Sequence, residues 1–109
     1  PAAAGRAAGL GLARAGTRIA LSWEPSCISD DRDYAVYEGL AGDYYSHESR
    51  YCSTGGATTK TLTPLSGNTY YLVVPRNGTR EGSYGTDSEG HERPQGNPAC
   101  LPQQVAACP

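Results

Sequence analysis

A chain of 109 residues has room for one domain with a modest core, and with no Phe, no Met and one Trp that core must come from Tyr, Leu, Val, Ile and Ala. Nine basic and eleven acidic residues give a formal charge of −2, and they form no Lys/Arg stripe. That balance argues against nucleic acid and anionic membrane surfaces as partners, and no apolar run has the length of a membrane span.

Pro1 to Gly9 is Ala/Gly-rich, interrupted by Gly5, and develops no apolar face, so residues 1–9 are expected to be a linker or interface arm. The opening on Pro1, without Met or a charged-then-apolar leader, is read as a processed product or a piece of a longer polypeptide. Leu10 and Leu12 alternate with small residues as a weak first strand before Gly16. Ile19, Leu21 and Trp23 alternate with Arg18, Ala20 and Ser22, the period of two of a half-buried strand. Glu24 and Pro25 end it, and Ser29 to Asp33 is a polar loop. Tyr34-Ala-Val-Tyr-Glu38 is the next strand. Gly39 and Gly42 mark a turn before Tyr44 to Cys52, a polar stretch suited to a sheet edge. Thr58 to Leu62 is a β-branched run stopped by Pro64. Tyr70 to Val74, between Gly67-Asn68 and Pro75, is the most apolar strand. Asn77-Gly78 signals a turn, Glu81 to His91 a long glycine-rich loop, and Glu92-Arg93 a final strand. Residues 95–109 form a Pro-rich tail. About seven short strands without an amphipathic helix predict an all-β, antiparallel sandwich over residues 10–94.

Cys27, Cys52, Cys100 and Cys108 are an even set without a Cys-x-x-Cys pair, and with His47 and His91 alone they assemble no metal-ligand pattern. Disulfides are therefore expected, and with them an oxidising compartment. Three connectivities are open. Pairing of sequence neighbours, Cys27–Cys52 and Cys100–Cys108, is favoured.

Candidate chemistry is sparse. Ser83 or Ser88 with Asp87 and His91 has triad composition but no nucleophile elbow, and reads as a hydrophilic loop. Asp30, Asp31 and Asp33 lack the glycine and terminal acid of a calcium loop, and read as a solvated turn. Glu38 and Glu48 show no sign of pairing for acid/base work. Asn77-Gly78-Thr79 fits a glycosylation acceptor, a triplet common by chance. No catalytic, cofactor or metal residues are assigned. Eight tyrosines are many for this length. Tyr44, Tyr45, Tyr51 and Tyr84 lie in edge or loop segments. Of these Tyr44, Tyr45 and Tyr84 are the candidate ligand contacts, each a flat apolar face with a polar tip.

As a set, Trp23 in Ile-Ala-Leu-Ser-Trp-Glu-Pro, Tyr34 and Val36 in Asp-Tyr-Ala-Val-Tyr-Glu-Gly, the Leu62-x-Pro64 turn before Tyr70 and Val74, and Gly82-Ser83 resemble a fibronectin type III domain, an immunoglobulin-like fold. They resemble most the disulfide-bearing variants of bacterial secreted and surface proteins. The spacing from Leu62 to Tyr70 is two residues longer than the usual turn, Pro75-Arg76 replaces a usual small residue, and the cysteine-bearing tail lies outside the pattern. The resemblance implies a core of Trp23, Leu21, Tyr34, Val36, Leu62, Tyr70, Leu72 and Val74, with Tyr70 as inward corner residue. It implies a non-catalytic extracellular, cell-surface or periplasmic module, a spacer or protein-interaction unit. The alternatives are a carbohydrate-binding module using exposed tyrosines and a fibre subunit joined to its own copies through its terminal segments. No cofactor is expected.

Overall fold

The computed structural model describes residues 3–108. Among the described residues six strands are present: β1 (Gly11–Ala15), β2 (Arg18–Ser22), β3 (Asp33–Leu40), β4 (Glu48–Tyr51), β5 (Thr59–Leu62) and β6 (Thr69–Arg76). No helix occurs among the described residues. The strands form two antiparallel sheets, ordered β1-β2-β5 and β4-β3-β6, an all-β arrangement consistent with a β-sandwich. The expected seventh strand at Glu92-Arg93 is absent: Glu92 makes only an isolated bridge to Thr86. The stretch expected as strand from Tyr44 is a turn until β4 begins at Glu48.

Between the sheets lie Leu21, Trp23, Tyr34, Val36, Leu62, Tyr71 and Val73. The Trp23 and Tyr34 rings meet edge-on with centroids 5.6 Å apart. Period-two alternation therefore works for β2 and for the inner face of β3.

It misassigns β6. Register pairs Tyr71 with Glu38 and Val73 with Val36, whereas Tyr70, Leu72 and Val74 oppose Gly39, Tyr37 and Ala35. Tyr71, not Tyr70, is thus the inward residue facing Trp23. Tyr70, Leu72 and Val74 point outward, yet Leu72 and Val74 are buried, in a second cluster with Ala35, Tyr37 and Tyr84. The physical reason is a third layer, because residues 81–105 fold back over the outer face of the β4-β3-β6 sheet. With both faces covered, hydrophobicity no longer tells one face from the other. Gly39 permits this packing, since a Cβ there would strike the Tyr70 ring.

The disulfides are Cys27–Cys108 and Cys52–Cys100, each with Cα atoms 5.5 Å apart, which corrects the expected neighbour pairing. The tail runs extended, bridging Glu81 at Gln103 and Ala4 at Val105. Eight extended residues span up to about 26 Å, so Cys100 and Cys108 are carried beyond disulfide reach of each other. Residues 4–9 also pack within the chain: Ala4 N–H donates to Gln104 O, Ser83 N–H to Gly5 O, and Glu24 N–H to Ala8 O. Gly82 lies so close under this segment that a Cβ would overlap the Gly5 carbonyl.

Candidate functional site

The β3–β4 turn is built by short-range bonds. Asp43 N–H donates to Leu40 O (3.0 Å), the Ser46 hydroxyl to Asp43 O (2.6 Å), and Leu40 N–H to the same hydroxyl (2.9 Å). Gly42 has φ +94°, a backbone that favours glycine. The turn pushes Tyr44 and Tyr45 outward, leaving them 54% and 74% exposed. Tyr44 leans on Tyr70, centroids 5.0 Å apart. With Gly42, Asp43, Asp87 and Arg93 the two tyrosines line an open cleft of about 270 Å³. Two aromatic faces, two carboxylates and a guanidinium can stack on a ring while bonding its hydroxyls.

Asp87 is fixed there by its own loop. Its Oδ1 accepts from the N–H groups of His91 (3.0 Å) and Glu89 (2.9 Å). The His91 bond above all holds its carboxyl below the usual range. Asp43 and Arg93 were not singled out in the sequence, because only the fold brings them beside the tyrosines. Tyr84, the third candidate contact, is not at this surface. It is 2% exposed, packed on Tyr37 with ring centroids 4.8 Å apart.

Beneath the cleft lies a buried polar layer that the sequence did not reveal. The Glu81 carboxylate is fully buried. It accepts from the hydroxyls of Tyr37 (2.6 Å) and Tyr84 and from Gln95 Nε2 (2.8 Å). Burial first, and the bond to Glu81 second, push both tyrosine hydroxyls well above their ordinary pKa. Buried His47 sits beside them, with Nε2 2.6 Å from Pro94 O and Nδ1 2.9 Å from the Tyr70 hydroxyl. These contacts assign the proton to Nε2, leaving Nδ1 to accept from Tyr70. On the inner side, the Glu38 carboxylate is also buried, paired with Arg50 and accepting from Tyr71 (3.1 Å) and Leu65 N–H (2.9 Å). Every donor around both acids is one that a structural polar core requires.

The remaining candidates fall apart spatially. The Ser83 hydroxyl donates to Glu92 Oε1 (2.6 Å), while His91 is exposed with Nδ1 3.8 Å from Asp87 Oδ2. Among the described residues no Ser–His hydrogen bond is formed. Asp31 is buried, not solvated, accepting from Gly5 N–H and the Ser26 hydroxyl, both at 2.7 Å. Asp33 caps another loop, accepting from Ser53 Oγ (2.5 Å), Thr54 N–H (3.0 Å) and Gly56 N–H (3.2 Å). Burial raises its pKa, but these bonds and one from Tyr34 N–H outweigh it and leave the net shift downward. Among the described residues, no three His, Cys, Asp or Glu side chains gather as a metal site, and no helix is long and apolar enough to cross a membrane. No family model, curated protein or solved structure matches the chain.

Proposed function

We propose that this chain is a non-catalytic module of the fibronectin type III, immunoglobulin-like kind. It acts outside the cytoplasm as a spacer or protein-interaction unit of a secreted or surface bacterial protein. The observation that carries this reading is the clamp. Cys27–Cys108 and Cys52–Cys100 fasten the tail to the body of the domain at two points, a construction suited to an oxidising, protease-rich setting. Strands one, two and five in one sheet and three, four and six in the other support the fold type. That division separates strands A, B and E from C and F in immunoglobulin-like sandwiches. Disulfide mapping of protein from its natural source tests the reading. The two linked peptides are expected, and four free thiols would overturn it.

A second reading, a carbohydrate-binding module, is favoured by the Tyr44–Tyr45 cleft. A glycan array tests it with the native chain and Tyr45→Ala. Binding lost in the variant supports it, and absence of binding by the native chain ends it. The segments that the fibre alternative invokes make backbone contacts within the chain at Ala4, Gly5 and Ala8 and at Gln103 to Ala106.

A further inference from the structure

An immunoglobulin-like sandwich would carry its seventh strand beside β6, and that place is open. Ala41 N–H donates to Asn68 O (3.0 Å), one step beyond the Leu40–Thr69 pair, so the hydrogen-bonded pairs alternate as Gly39–Tyr70, Tyr37–Leu72 and Ala35–Val74. Tyr71 and Val73 therefore turn their backbone N–H and C=O groups away from β3. Pro75 shares that direction, and its carbonyl accepts from Gly82 N–H (2.9 Å). A strand continuing from Gly82 would set Tyr84 against Val73. Instead Ser83 N–H goes to Gly5 O, and Tyr84 N–H to Glu92 Oε2. Among the described residues no hydrogen bond reaches the outward backbone groups of Tyr71 and Val73. Both residues are buried, a setting in which an unmet backbone group is costly.

A cleft of about 180 Å³ lies at this edge. Leu72 and Val73 both line it, yet they stand on opposite faces of β6, Leu72 in the outer cluster and Val73 in the inner one. Consecutive strand residues share a cleft only along the strand's edge, and β3 occupies the other edge. Trp23 of the inner cluster and Tyr84 of the outer one line it too, and the segment from Ala7 to Leu10 completes it with an exposed leucine. Trp23 Nε1 is buried without a hydrogen-bond partner. Among the described residues Arg93 is the one charged group of the lining, and with Asp87 it also lines the Tyr44–Tyr45 cleft. Two further carboxylates stand near: Glu92, which accepts from Ser83 Oγ and Tyr84 N–H, and Glu24, whose side chain lies beside Gly9.

We propose that the β6 edge takes up an extended, neutral segment of a partner polypeptide, which adds a strand beside Tyr71 to Val73 and seats an aliphatic side chain against Trp23. A peptide backbone supplies donors and acceptors at the spacing that β6 leaves unmet, which a sugar or a free ion does not. A peptide carbonyl also suits the Trp23 N–H. Charge complementarity points to a neutral segment: the single cation, Arg93, has Asp87 beside it, and Glu24 and Glu92 disfavour an acidic one. The edges of β4 and β5 are four residues long, and a bulge interrupts the pairing of β4 at Val36 and Tyr37, features that discourage an added strand. That the partner is a protein rests on the interaction-unit reading, whereas the open edge rests on the register alone.

Calorimetry and amide hydrogen exchange of the oxidised full chain test this with an alternating Val/Thr nonapeptide, capped at both ends. Binding is expected, with exchange at the Tyr71 and Val73 amides slowed roughly tenfold or more at saturation. The same peptide methylated on every backbone nitrogen keeps its side chains and loses its donors, so it should bind roughly tenfold more weakly or worse. Leu10→Glu, which puts a charge on the cleft wall, should weaken the unmethylated peptide by a similar factor. Leu12→Glu, at an exposed leucine outside the cleft, should leave affinity unchanged. Matching thermal melts establish that both variants are folded. No binding at about 1 mM peptide, equal binding of the methylated peptide, unchanged exchange at Tyr71 and Val73, or equal losses in the two variants would overturn the site. Tighter binding of a peptide with Asp in place of Thr would overturn the neutral assignment. Protection of the two amides without peptide, together with dimers in light scattering, would overturn the partner assignment in favour of a second copy. Failure of the interaction-unit reading shows separately, as four free thiols in the disulfide map.

Discussion

Raising the pH from about 9 to about 12 should unfold this protein from its outer layer. Tyr37 and Tyr84 are buried with their hydroxyls on the fully buried Glu81 carboxylate. Ionising either one would set a phenolate against a carboxylate away from water. Their pKa values are accordingly raised, by burial first and by Glu81 second. The folded state therefore holds both protons at pH values where the unfolded chain, titrating near about 10, has released them. The stability they contribute is complete below about pH 10 and falls as pH climbs toward the folded-state values. Each tyrosine contributes a slope of about 1.4 kcal/mol per pH unit, so the pair gives about 2.7 kcal/mol per unit. Against a stability near the low end of the usual range, about 5 kcal/mol, roughly two units above pH 10 suffice; about 10 kcal/mol would take nearly four. Urea melts at stepped pH give the slope, and near-ultraviolet phenolate absorbance shows when the hydroxyls ionise. Phenolate absorbance from this pair should appear together with unfolding. Tyr37→Phe/Tyr84→Phe should flatten the profile. Constant stability across this range, or Tyr37 and Tyr84 ionising near about pH 10 in the folded protein, would refute the reasoning.

Arg50→Ala should cost about 3 kcal/mol in thermal or urea melts, because it strands the buried Glu38 carboxylate. A loss below about 1 kcal/mol would mark the pair as a surface contact. Cys52→Ser/Cys100→Ser opens a loop with a sequence separation of 48 and should remove about 4 kcal/mol by chain entropy. Cleavage of the tail by protease at low urea, before the sheets unfold, checks that the loss begins there. Gly82→Ala should destabilise by about 2–3 kcal/mol, since its methyl group overlaps the Gly5 carbonyl; an unchanged melting midpoint would mean that residues 4–9 lift away without cost. Tyr71→Phe should cost on the order of 1 kcal/mol through the lost bond to Glu38, read from the same melts.

The strands around Trp23 were legible because one face of β2 meets the core and the other meets solvent, the condition under which alternation carries information. β6 breaks that condition. Tyr70 and Tyr71 stand on opposite faces that are both covered, so alternation cannot choose between them, and the choice of Tyr70 that the resemblance implied is reversed. Tyr84 was read as exposed because its surroundings, Gly82 to Gly90, have the composition of a loop. What buries it is a partner 47 positions away, Tyr37, together with the acid at Glu81. Cysteine pairing is a property of the folded path, and the extended tail that separates Cys100 from Cys108 has no local signature. At the candidate cleft, Tyr44 and Tyr45 were visible from their place after Gly42. Asp43 and Arg93 acquire meaning only when two loops distant in the chain come together.

The pairing of Cys27 with Cys108 also decides how the domain carries a load. Tension drawn along the polypeptide from both ends crosses that bond and bypasses the backbone of β3, β4, β5 and β6. Only the segment up to Cys27 can be drawn out, about 90 Å when fully extended. While the bond holds, the buried Tyr37–Glu81–Tyr84 layer and the Tyr44–Tyr45 cleft lie outside the path of direct pull along the chain, so the domain yields like a short tether through β1 and β2 alone.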